Sequence, residues 1–159
     1  GAGRLGLPAR QGWDRMLLVA VVVLAACGLA LVMAPAPMAT LFNRVGFGTT
    51  STPVPDGDAR RYVHLVHAVL GAVMFGWSIT IGALVRGPLR RREAWAWHAI
   101  VVSLSTWFVL DTGYSLATKF WGNTVLNAVL FVMFAIPLGV IHTQLQPTPV
   151  ASLDAPSPR

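Results

Sequence analysis

A chain of 159 residues that is 55% hydrophobic and only 11% charged does not have the composition of an average soluble domain, which carries about 25% charged residues. The formal net charge of +6 lies in short basic runs beside apolar segments, a placement that encodes membrane topology rather than nucleic-acid binding. The single cysteine, Cys27, excludes an intramolecular disulfide and any chemistry that needs a thiol pair, and it reads as a small apolar packing residue.

The first element is an uncharged run from Met16 to Met33, directly after Arg15. At ~1.5 Å per residue it is long enough to cross the ~30 Å hydrocarbon core of a bilayer. Arg4, Arg10 and Arg15 before it, and the small residues of Ala34 to Ala39 after it, resemble the parts of a signal peptide. The run exceeds the usual apolar core of such a peptide, and the expectation is a retained helix. Asp14 is a plausible N-cap, so this helix spans about 14–33, ended by Pro35 and Pro37. The segment 34–57, with four prolines and the run TTST, reads as a polar outer-face linker. Within it Met38 to Val45 is mildly amphipathic and suits the membrane surface.

Three further apolar helices are expected at about 59–85, 93–117 and 123–143. Asp58 or Asp56 caps the second, and Arg86-Gly87-Pro88 stops it. The loops on either side of the third are short, so sequence neighbours pack antiparallel. Pro137 kinks the fourth helix, and Asn123 is read as its N-cap. The fold expected is an all-α integral membrane protein, an antiparallel bundle of four transmembrane helices. It forms one domain over 1–146, followed by a mobile tail over 147–159 rich in Pro, Ser and Ala.

Orientation follows from the basic residues. Arg4, Arg10, Arg15, Arg86, Arg90, Arg91, Arg92 and Arg159 fall on one side, and Arg44, Arg60, Arg61 and Lys119 on the other. The positive-inside rule then places both termini in the cytoplasm, in a bacterial cytoplasmic membrane.

Polar groups inside lipid are costly and carry the functional information. Asp111 lies ~9 Å inside the outer end of the third helix, His67 ~10 Å inside the second, and Asn127 ~6 Å inside the fourth. His64, Tyr114 and Ser115 lie about one turn away from these. Helical spacing puts His64, His67, Gly71, Met74, Ser78 and Gly82 on one stripe, and Ser103, Trp107, Asp111 and Tyr114 on another. The expectation is that the stripes face one another. His64, His67 and Asp111 have the donor types to bind a metal such as zinc, and His67 with Asp111 could handle protons. The simpler reading is a structural network of Arg60, Arg61, His64, His67, Asp111, Tyr114 and Asn127 that holds the helices in register.

The remaining histidines are weaker candidates. His98 points nearly opposite to Asp111 and reads as interfacial beside Trp97. His142 suits a helix C-terminus. Only these two could share a haem, at unequal depths, so haem is disfavoured and the sequence requires no cofactor. Other classes lack their motifs. Lys119 lies in a loop, where it cannot serve a retinal protein, and the first helix has no acidic residue of the small multidrug exporter kind. No phosphate loop, HExxH or GxSxG is present.

The favoured expectation is a non-catalytic accessory or structural subunit packed against a larger membrane complex of respiratory or photosynthetic type. Its partners would be membrane lipids and other subunits, with no nucleic acid. The alternative is a small membrane enzyme or a lipid- or metal-binding protein with an outer-leaflet site at His64, His67, Asp111 and Tyr114. His67, Asp111 and Tyr114 would then be the catalytic candidates.

Overall fold

A computed structural model describes residues 7–47 and 56–145, all of which are helix or short turns. Four helices are long and apolar enough to cross a membrane. They are α1 (Leu7–Met33), α3 (Asp58–Leu84, continued by a π-helical turn Val85–Leu89), α4 (Ala94–Ala117) and α5 (Trp121–Leu145). A shorter helix, α2 (Pro35–Phe47), follows α1. The tail 147–159 lies outside the described residues.

Large apolar side chains cover the outward faces: Val22, Val73, Val109 and Leu110 are exposed. In a soluble protein such a surface would be a liability; around a lipid-solvated bundle it is the required one. The buried core lies toward one end. Leu17 and Leu24 of α1 meet Ile81, Val85 and Leu89 of α3 and its π turn, Ile100 and Leu104 of α4, and Phe134 and Ile141 of α5. We call this the basic end, because Arg86 and Arg90 to Arg92 lie in the adjoining π turn and α3–α4 connection. α1 packs most extensively on α3, and α4 on α5. The beginning of α4 meets the end of α5, where Trp97 Nε1 donates to Leu138 O at 2.8 Å. The end of α4 meets the beginning of α5, where Asn123 Nδ2 donates to Asp111 Oδ1 at 2.9 Å.

Several element boundaries differ from the sequence reading. α1 begins at Leu7 rather than Asp14, and Pro8 falls in its first turn, where a missing N–H costs nothing. Asp14 is therefore inside the helix and does not cap it. The segment expected as a linker contains α2. Its Pro35 and Pro37 occupy the first turn, so they start the helix instead of preventing it. Bonds from Ala34 N to Ala30 O (2.9 Å) and from Met38 N to Ala34 O (3.1 Å) carry helical pairing almost through the junction. α2 packs against α3 and α5 and buries Ala39. Residues 48–55 of the same segment lie outside the described residues.

Arg86-Gly87-Pro88 does not stop α3. The π turn continues it to Leu89, giving the Pro88 ring room that a regular α turn denies. Asp56 and Asp58 do not cap α3: they pair with Arg60 and Arg61, and Gly57 occupies the N-cap position. Cys27 is exposed on α1 and is not packed within the bundle.

Both turns that flank α4 end the preceding helix in the same way. After α4, Phe120 N bonds Ser115 O (2.8 Å) and Lys119 N bonds Leu116 O (3.1 Å). After the π turn, Glu93 N bonds Pro88 O (3.0 Å) and Arg92 N bonds Leu89 O (3.1 Å). These are paired 6→1 and 5→2 bonds, the Schellman arrangement. The left-handed position that glycine usually fills is held by Lys119 (φ 61°) in one turn and Arg92 (φ 64°) in the other.

Candidate functional site

Among polar groups within the spans, Asp111 is the acid set deepest, and α5 rather than α3 reaches it. Asn123 lies in the first turn of α5, and its Nδ2 donates to Asp111 Oδ1 (2.9 Å) and to Ser115 Oγ (2.8 Å). Ser115 Oγ donates to Asp111 O at 2.8 Å and lies 3.5 Å from Oδ1. One turn further in, Asn127 Nδ2 points at Thr112 Oγ1 over 3.4 Å, and both residues are buried. The i, i+4 pair Asn123 and Asn127 thus rests on a polar α4 face formed by Asp111, Thr112 and Ser115. Asn123, expected as a cap, is a bridging residue instead. The sequence signal for it was the asparagine pair at i, i+4, which matches that face.

α2 closes this end. Val45 sits so close to Gly122 that a side chain at position 122 would collide with the Val45 backbone. A Cβ on Gly46 would come within 3.3 Å of the Phe120 ring. The α4–α5 turn and the end of α2 are therefore locked together by two glycines, directly above the Asp111–Ser115–Asn123 node.

His67 is not part of that node. Its Nδ1 lies 2.7 Å from Val63 O on its own helix, and its ring stands edge-on to Phe42 of α2, with centroids 5.7 Å apart. The expected pairing of His67 with Asp111 is not formed. His64 is half-buried without a polar partner among the described residues. Tyr114 is 71% exposed and makes no side-chain hydrogen bond to Asp111. Arg60 and Arg61 pair with the acids that precede them. Among the described residues, no group of three or more His, Cys, Asp or Glu side chains is placed to hold one metal ion. The structure does not bring His64, His67 and Asp111 together, because depth in the membrane sets only one coordinate, and α4 turns its polar face to α5.

The two helical stripes also part company. Gly71 and Gly82 of α3 face α1, not the polar residues of α4 and α5. Ser78 is buried and donates to Phe75 O on its own helix at 2.6 Å. A direct polar link from α3 to α4 is Trp77 Nε1 to Ser103 Oγ (2.9 Å), beside a Trp77–Trp107 contact with centroids 5.9 Å apart.

At the basic end Trp97 organises the polar groups. Its N–H goes to Leu138 O, its ring lies over His142 with centroids 4.4 Å apart, and His98 stands edge-on to it at 5.1 Å. His98 Nδ1 lies 2.8 Å from Ala94 O. Outside the spans, Glu93 accepts from Arg91 Nε (2.8 Å) and Trp95 Nε1 (2.6 Å). The bond from Arg91 first, and then that from Trp95, hold the carboxyl below its ordinary range.

No family model, curated protein or solved structure matches this chain.

Proposed function

We propose that this chain is a non-catalytic accessory subunit of a larger membrane assembly. In this reading it is an antiparallel four-helix bundle in a bacterial cytoplasmic membrane, with both termini on the cytoplasmic side, as the excess of arginine at the basic end directs. The carrying observation is that the polar side chains where α4 meets α5 and α3 close on one another or on their own backbone, whereas His64, Tyr114 and the buried Gln144 Oε1 have no such partner among the described residues. Asn123 is used on Asp111 and Ser115, Trp77 on Ser103, and Trp97 on Leu138. Such contacts contribute about 0.6–2 kcal/mol each in membranes and hold helices in place.

One outward face, on α3, is made of small residues. Ala72, Gly76, Thr80 and Ala83 lie one turn apart and are exposed, and no other part of the bundle comes within 4 Å of a Cβ placed on Gly76. Small residues in this spacing let a neighbouring helix approach closely. A catalytic or metal site at His64, His67, Asp111 and Tyr114 draws no support from the geometry, since His67 and Asp111 are engaged on different helix pairs.

The test is a strain lacking this chain. Membrane assemblies solubilised in mild detergent should change in size or composition when it is absent. Assemblies identical to those of the parent strain would overturn the reading.

A further inference from the structure

The basic end combines an apolar groove with charge that the protein does not neutralise. The groove, about 160 Å³, runs between α4 and α5. Trp97, Val101 and Ser105 line one wall, and Phe131, Ala135 and Gly139 the other. On each helix these residues cover about eight positions, or ~12 Å. That is close to the ~15 Å hydrocarbon depth of one leaflet, half of the ~30 Å core. The volume is well below the ~300–1,000 Å³ of sites that enclose a small molecule, and it suits part of a single hydrocarbon chain. Of the two polar groups on the lining, the Trp97 N–H is already given to Leu138 O.

Gly139 bears on the same point. Glycine is a poor helix former, yet nothing lies within 4 Å of the place its Cβ would take. Close packing within the bundle does not require a glycine there; the space beside it is left open.

The charge lies where the chain enters α4. Arg91 is held by Glu93 at 2.8 Å. Arg90 and Arg92 are exposed, and neither has a carboxylate partner among the described residues. Arg92 also occupies a left-handed backbone position, φ 64°, that glycine would adopt more easily. It lies two residues before α4, whose first turn carries Trp97.

We propose that this end binds an anionic phospholipid, with its phosphate at Arg90 and Arg92 and one acyl chain in the α4–α5 groove. Guanidinium groups match phosphate oxygens with paired, charge-assisted hydrogen bonds. Trp95 and Trp97 lie in the first turn of α4, and tryptophans at such a helix end are favoured at the headgroup zone. The site is independent of whether the chain joins a larger assembly.

The experiment uses the full chain reconstituted in vesicles of equal parts phosphatidylglycerol and phosphatidylcholine, with retained lipid read by native mass spectrometry. The wild type should retain phosphatidylglycerol in preference to phosphatidylcholine. Arg90→Gln with Arg92→Gln should reduce phosphatidylglycerol retention about fivefold for each arginine and leave phosphatidylcholine unchanged. Gly139→Leu fills the groove without meeting protein atoms at its Cβ, and it should reduce retention of both lipids. Circular dichroism confirms that each variant keeps its helices. Equal retention of the two lipids by the wild type would overturn the proposal. So would wild-type lipid retention in the folded Gly139→Leu variant, or an unchanged preference in the double arginine variant.

Discussion

Gly28 of α1 and Gly71 of α3 face each other across a crossing where the two backbones approach closely. A Cβ on Gly28 would stand 2.7 Å from Gly71 O and 2.8 Å from Phe75 N. A Cβ on Gly71 would collide with Gly28 O and stand 2.7 Å from Leu31 Cβ. Rigid backbone lies on both sides, so neither position can absorb even a methyl group without the helices separating. Without a hydrophobic drive between helices in lipid, close backbone approach is a main source of their attraction.

Gly71→Ala should therefore destabilise the bundle by about 1–3 kcal/mol, the usual range for overpacking. Gly76→Ala on the same helix is its control. Nothing lies near that position, and removing a helical glycine should stabilise the bundle by about 0.5–1 kcal/mol. Unfolding midpoints in detergent titrated with dodecyl sulfate compare the two directly. A Gly71→Ala variant as stable as wild type would contradict the crossing.

Asn123→Ala removes the donor shared by Asp111 and Ser115 and should cost about 0.6–2 kcal/mol in the same assay. Tyr114→Phe and His64→Ala should change stability by less than about 0.5 kcal/mol, since neither side chain has a polar partner among the described residues. A large loss from His64→Ala, with none from Asn123→Ala, would place the network where the structure does not.

Lys119 and Arg92 sit at left-handed positions that cost a non-glycine residue roughly 1–2 kcal/mol. Glycine relieves this but is more flexible when unfolded. Lys119→Gly and Arg92→Gly should each raise stability by about 0.5–1 kcal/mol. Destabilisation by either would show that the side chain contributes more than the turn loses.

Glu93 has a directional pH dependence. Its folded-state pKa lies below the ordinary 4.5 because the bonds from Arg91 and Trp95 favour the charged form. A depressed carboxyl pKa stabilises the fold above the unfolded value, and that contribution is lost as pH falls through the folded value. The stability difference between wild type and Glu93→Gln should be constant at neutral pH and shrink below about pH 4.5. A difference that grows on acidification would reverse the assignment.

The spans were legible because uncharged runs of this length have few other stable environments. α2 was legible only in part: Met38 to Val45 read as amphipathic, but Pro35 and Pro37 read as breakers until their place in a first turn is known. The neighbours of each polar residue were not legible either. His67 and Asp111 lie at similar depths, yet α3 reaches α4 through Trp77 and Ser103, and Asp111 is left to Asn123 of α5. The small surface of α1 was visible in Gly28 and its alanines, whereas its partner Gly71 required the three-dimensional crossing.

On the proposed function, the outward face of α3 docks against another membrane protein. The decisive measurement is native particle size of the tagged chain, extracted from its source membranes in mild detergent, for wild type and Gly76→Trp. The wild type should elute within a much larger particle, and Gly76→Trp, whose Cβ meets no neighbouring atom of its own bundle, should elute as a small folded species. A wild type that elutes alone, or a Gly76→Trp variant that stays in the large particle, would contradict it.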